Sequence, residues 1–220
     1  MARKKHEIGE FVAPKRPMPP DFLFSESRIF QPIAPADGVS EWVQEQLLTE
    51  SAPLYNEEHR HLLFADIAYL WAAVENTKHM RQVVGQCEEV MIRAGGWQKA
   101  RAEQQFYEWF GHTPQFLITL DANYVRDCSD LEWCALIEHE CYHVGHRLDE
   151  FGQPAFTKDG LPKIGLKSHD VEEFVGIVRR YGVGAAAGET AKLVAAAQRP
   201  AEIGHIAIAQ ACGTCILRAA

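Results

Sequence analysis

No apolar run in the chain reaches the roughly 18 residues that a membrane-spanning helix needs. The most apolar stretch, IGHIAIAQACGTCIL, is shorter and is broken by His205 and Gln210. A secretory h-region is missing from the first thirty residues, so a cytoplasmic location without a membrane partner is expected. Basic residues are scarce beside acidic ones: 22 Lys and Arg against 30 Asp and Glu give a formal net charge of −8. Nucleic acid is therefore not an expected partner, because neutralising phosphates takes clustered cations. The one basic cluster, Arg3, Lys4, Lys5, Lys15 and Arg16, is interleaved with Pro14, Pro17, Pro19 and Pro20; residues 1–38 read as a flexible tail. Cysteine is sparse too. Six scattered cysteines make no disulfide framework, and in a reducing compartment they read as thiols. Cys87, Cys128, Cys134 and Cys141 are expected as small core residues. Cys212 and Cys215 form one C-x-x-C in a C-terminal extension, residues 199–220. That is half of a four-ligand zinc site, which His205 or a second chain would have to complete.

What remains is an ordinary globular composition, 47% hydrophobic and 24% charged, in 220 residues without an internal repeat. That suffices for one domain, expected over residues 39–198. SEWVQEQLL predicts a short helix with Ser40 as its N-cap. Asn56 opens a predicted longer helix over residues 56–76, on which Leu62, Ala65, Tyr69 and Ala72 recur at helical spacing. His59 and His61, near its start, are expected to face solvent or to cap it. Between residues 81 and 121 the pattern shifts to short mixed runs around Gly95-Gly96. QFLITLDANY alternates as a strand does, so two or three strands of one small sheet are predicted. The fold class is α+β. Asp159-Gly160 predicts a hairpin tip, and Ala-rich GETAKLVAAAQ predicts a late helix.

The chemistry is concentrated in ALIEHECYHVGHRL. His139, Glu140 and His143 spell H-E-x-x-H on a predicted helix over residues 129–148. At about 100° per residue, His139, His143 and His146 share one face, while Trp133, Cys134, Ile137, Cys141, Val144 and Leu148 take the other. Imidazoles at i and i+4 reach one zinc ion from adjacent turns. Glu140 is placed to take a proton from a zinc-bound water as that water attacks a carbonyl. His146 is excluded as the third ligand, since seven residues of straight helix rise about 10.5 Å. The next candidates stand in SHDVEEFVGIVRRYG. His169 precedes a helix that Asp170 and Glu173 would cap, and it is favoured; Glu172 and Glu173 are its rivals.

HECYH followed by HDVEEFVGIVRRYG resembles the SprT-like zinc peptidases. NEEHRHLLFADIAYL, QFLITLDANY, ALIEHECYH and SHDVEEFVGIVRRYG, in that order, resemble the putative phage metallopeptidase family. The resemblance implies a zincin-like fold, a small antiparallel or mixed sheet packed on the H-E-x-x-H helix. It implies Zn2+ held by His139, His143 and His169, with Glu140 as base. It also implies a protein or peptide substrate, hydrolysed in a host cytoplasm if the chain is phage-borne. A strand over residues 116–120 would accept the extended substrate by β-addition. Twenty-five residues separate His143 from His169, more than the resemblance leads one to expect, and the hairpin at Asp159-Gly160 is expected to overhang the cleft. Tyr142 and Tyr181 are candidate oxyanion donors, with core contacts the favoured role for both. The rival reading is a catalytically silent, zinc-stabilised binding module of the same fold.

Overall fold

The structure is a computed structural model that describes residues 11–25, 31–78, 81–171, 178–179, 182–183 and 188–204. A four-stranded sheet forms its centre, in the order β1 (Ile33–Pro35), β2 (Ile67–Ala72), β6 (Phe116–Asp121), β5 (Gly85–Glu89). The pairs β1/β2 and β5/β6 are antiparallel, and β2/β6 is parallel. Two residues each of β3 (Thr77–Lys78) and β4 (Arg81–Gln82) make a separate antiparallel pair. With its helices, this is an α+β fold around a small mixed sheet.

The predicted helix over residues 56–76 is corrected. Asn56 does cap a helical segment, accepting from the Glu58 N–H at 3.0 Å, but that segment is 3-10 and stops at Phe64. IAYLWA then runs as the internal strand β2. A strand covered on both faces is apolar throughout, so its residues matched a helical stripe as well as a strand. Tyr69 and Trp71 face one side with Ile118 and Leu120. Ala68, Leu70 and Leu117 face the other, under Phe106, Trp109 and Phe110. Those three aromatics belong to α2 (Gly96–Phe110), so RAEQQFYEWF is helical, not part of the sheet. Gly111, at φ 76°, ends α2 with its N–H on the Tyr107 carbonyl, a left-handed cap that glycine adopts without strain.

On the opposite face lie α1 (Val39–Gln46), α3 (Ala122–Asp127) and α4 (Asp130–Tyr142). Gly38, not Ser40, occupies the N-cap of α1. Trp133 of α4 is fully buried against Trp42 and Trp71, at ring separations of 5.5 and 5.9 Å. Residues 11–25, within the stretch expected as a tail, run beside these helices. Arg16 pairs with Asp130 at 2.6 Å and donates to the carbonyls of Val125 and Arg126, and the Trp42 indole donates to the Lys15 carbonyl.

Helix α4 ends at Tyr142, six residues before its predicted end. Val144–His146 forms β7, antiparallel to β8 (Ile164–Leu166). Beyond this stem, Arg147, Ala155 and Lys163 close a ring of three backbone hydrogen bonds, each of 2.8 Å. Two small hairpins branch from the ring. One turns at Gly152; the other turns at the predicted Asp159-Gly160, where Thr157 N–H meets the Leu161 carbonyl. The long spacing between His143 and His169 is thus one branched ribbon. The Ala-rich segment forms α5 (Glu189–Ala197). Of the helix predicted from Asp170, residues 172–177 and 180–181, with Glu172, Glu173 and Tyr181, lie outside the described residues, as do His205, Cys212 and Cys215.

Candidate metal centre

Helix α4 is anchored at its start by a capping box. The Ser129 hydroxyl accepts from the Glu132 N–H, and the Glu132 carboxylate takes the Ser129 N–H at 2.7 Å. The helix then crosses the sheet face with Trp133, Cys134, Leu136, Ile137 and Cys141 buried. Burial pushes the thiols of Cys134 and Cys141 up to about 12, and that of Cys128 to about 11. They are inert apolar filler at neutral pH, as the sequence predicts.

The face carrying His139 and His143 meets His169, which arrives two residues after the clamp at Lys167 described below. Their ring centres form a near-equilateral triangle with sides of 5.1, 5.1 and 5.3 Å. One nitrogen from each ring lies within 4.8 Å of the others, and Nε2 of His139 and His169 are 3.3 Å apart. Two nitrogens about 2.05 Å from one tetrahedral ion would stand roughly 3.3–3.4 Å apart. Three neutral imidazoles at this spacing fit a divalent transition-metal ion. Among the described residues, no other group of three His, Cys, Asp or Glu side chains meets on a common point.

His143 is held on both sides of its own backbone. Its Nδ1–H donates to the Lys167 carbonyl at 2.7 Å, and the Lys167 N–H donates to the His143 carbonyl at 2.7 Å. The first bond selects the tautomer that leaves Nε2 unprotonated and able to accept a metal ion. It also ties the C-terminal end of α4 to the chain segment that delivers His169.

Glu140 is fully buried beside the triad. Its carboxylate lies against β5 at Gly85, where a Cβ would come within 2.6 Å of Oε1. On the other flank of α4, Asn56 donates to Glu138 at 3.1 Å and to the Tyr142 hydroxyl at 2.9 Å, and Tyr142 donates to Glu58 at 2.7 Å. Burial pushes Glu138 up, but the bonds from His59 and Asn56 outweigh it and hold the carboxyl below its usual range. The Tyr142 hydroxyl ties α4 to the 3-10 segment, but the side chain is exposed and does not make the core contact favoured for it.

Two more histidines depart from expectation. His59 is completely buried, edge-on to Tyr142 and 3.5 Å from Glu138. His61 is half-buried and donates through Nε2 to the Val144 carbonyl. His59 is withdrawn from solvent and His61 in part, because the 3-10 segment packs on α4 and β7 instead of projecting as a free helix. His146 stands beside His61, ring centres 4.8 Å apart, and not in the triad. Its exclusion as a ligand holds for another reason: it is on a strand, not further along the helix.

The strand over residues 116–120 cannot take a substrate strand. It is β6, already paired with β2 on one side and β5 on the other. The sheet's edge beside α4 is β5. Sequence reasoning misses Gly85, Glu138 and Lys167, and it misplaces His59. Only Gly85 carried a local signal, an isolated glycine inside a strand-like run.

Comparison with curated proteins and with solved structures gives no match. Residues 40–198, well over half of the chain, match the profile of the putative phage metallopeptidase family. The matched span contains strands β2, β5 and β6 of the sheet, α4 and all three converging histidines. A family of this description implies a metal ion, and the triad offers it a place. The chain belongs to the putative phage metallopeptidase family.

Proposed function

We propose that the protein is a zinc-dependent peptidase of the H-E-x-x-H type, SprT-like in its zincin arrangement, acting in the cytoplasm of a host cell. The convergence of His139, His143 and His169 beside a buried Glu140 carries this reading. An all-imidazole donor set suits zinc, and three protein ligands leave a fourth position for chemistry. Residues 39–198 would form the catalytic unit. When bound, the ion would supply Lewis acidity, acidifying a water and polarising a carbonyl.

The chain's own residues would do the rest. Glu140 would accept a proton from the attacking water at its carboxylate and return it to the departing amine nitrogen. Burial next to β5 limits the positions that carboxylate can take. The substrate backbone would lie along β5. Val84 accepts from Asp121 and Val90 donates to Gln115, so even-numbered residues of this strand face β6. The N–H and C=O groups of Gly85, Cys87 and Glu89 then point to the unpaired edge, where an extended peptide can pair with them.

Elemental analysis with hydrolysis of fluorescein-labelled casein tests the proposal. One zinc per chain is expected, lost in His139→Ala, His143→Ala and His169→Ala. It should be kept in Glu172→Ala, Glu173→Ala, Cys212→Ala/Cys215→Ala and Glu140→Gln, the last without casein hydrolysis. Zinc that leaves only with the cysteines would overturn the site. Zinc bound at the triad with no casein hydrolysis by the parent chain would leave a silent binding module.

A further inference from the structure

Gly85, the first residue of β5, is where the sheet touches the helix that carries the histidines. A methyl group there would lie 2.6 Å from Oε1 and 3.0 Å from Cδ of Glu140, and 2.9 Å from Cδ1 of Leu136. Leu136 and Glu140 stand one turn apart on α4, and both are fully buried. The backbone does not ask for glycine at this point. Gly85 is not among the residues of positive φ, and it pairs with Leu120 in regular antiparallel register. Glycine weakens a strand by its conformational freedom. Space, not conformation, accounts for it here. The atoms that a methyl group would strike are the ends of side chains, not backbone. An added methyl would therefore push the Glu140 carboxylate aside without requiring strand or helix to separate.

We infer that Gly85 is a positioning residue: by lacking a Cβ, it sets where the Glu140 carboxylate rests beside the three imidazoles. This deepens the proposed function and rests on Glu140 being the base. Displacing a reacting group by about 1 Å costs on the order of a hundredfold in rate. Because metal affinity resides in the histidines, it does not depend on this contact.

The test uses the full chain loaded with Co2+, whose visible absorption reports the surroundings of the metal, alongside casein hydrolysis by the Zn2+ form. Gly85→Ala is expected to bind Co2+ as the parent does, with an absorption spectrum altered as Glu140→Asp alters it. Its kcat should fall roughly tenfold to a hundredfold at nearly constant KM. Aspartate is one methylene shorter and clears the added methyl, so Gly85→Ala should cost far less in the Glu140→Asp background than in the parent. A parent-like spectrum and kcat for Gly85→Ala would overturn the inference, as would an equal loss in both backgrounds. If Gly85→Ala does not fold, Gly85→Ala/Leu136→Val removes the second contact and must give the same result. Casein hydrolysis undiminished in Glu140→Gln would instead defeat the base assignment, and the spectra would still decide whether Gly85 places the carboxylate.

Discussion

His143 shows how much a single candidate ligand position depends on atoms that carry no side-chain identity. Both groups that hold it are main-chain atoms of Lys167. Lys167→Ala should therefore leave zinc affinity intact. Lys167→Pro, which removes the N–H, should weaken it by about tenfold to a hundredfold in a competitive chelator titration. Histidines elsewhere titrate in opposite senses. Burial lowers His61, against the pull of the Val144 carbonyl. The unfolded chain then takes up that proton first, at about pH 6.5, and stability is lost as pH falls through this value. Urea unfolding at pH 7.5 and 5.5 should show the loss, and His61→Gln should reduce it. The hydrogen bond that His112 donates to the Asp66 carboxylate raises His112, helped by the Phe110 carbonyl. Its contribution is present below the unfolded value and disappears as pH rises through the folded one. The pair is solvent-exposed and its effect on stability small. NMR should find the His112 midpoint above its ordinary value and lower again in Asp66→Asn.

At the scale of elements, α4 and the ribbon that follows it divide the labour. The capping box fixes where α4 begins, so Ser129→Ala should lower the unfolding free energy by about 1 kcal/mol, with zinc stoichiometry unchanged. The ribbon starts one residue after His143 and returns at Lys167, yet its branches lie beyond the ring at Arg147, Ala155 and Lys163. Replacing residues 148–162 with a two-residue Asn-Gly turn should keep the stem and the metal content of the parent chain, as elemental analysis can check. This element was partly legible beforehand. Asp159-Gly160 has the residues of a tight turn, and turn chemistry is local. The three-way ring was not legible, because nothing in the sequence of Ala155 marks it as the partner of both Arg147 and Lys163. For the same reason β2 was misread: Ile67, Tyr69 and Trp71 are strand formers, but apolar residues on both faces erase the alternation that identifies a strand.

For the whole molecule, the segment before residue 39 matters more than its composition suggests. Arg16 reaches Asp130, Val125 and Arg126, and Ile33–Pro35 closes one edge of the sheet on β2. Arg16→Ala should cost about 1–3 kcal/mol in urea unfolding, since charge-assisted bonds to partly buried acceptors are lost. Deleting residues 1–38 should expose the edge of β2 and promote aggregation, visible by light scattering. Among the described residues no helix is long and apolar enough to cross a membrane.

The sequence by itself determined the chemistry at hand. H-E-x-x-H on a helix is a local pattern, and 3.6 residues per turn suffices to bring His139 and His143 together; the cap at Ser129 and the apolar back of α4 are local in the same sense. The sequence favours His169 to complete that pattern, but only the tertiary structure brings it within reach of the other two. His169 joins the triad because a ribbon folds back and Lys167 clamps its base. Glu140 is enclosed because β5 passes over it at a glycine, and β6 is closed to a further strand because it is paired on both edges. Each of these depends on contacts between residues far apart in the chain, which periodicity and spacing do not encode.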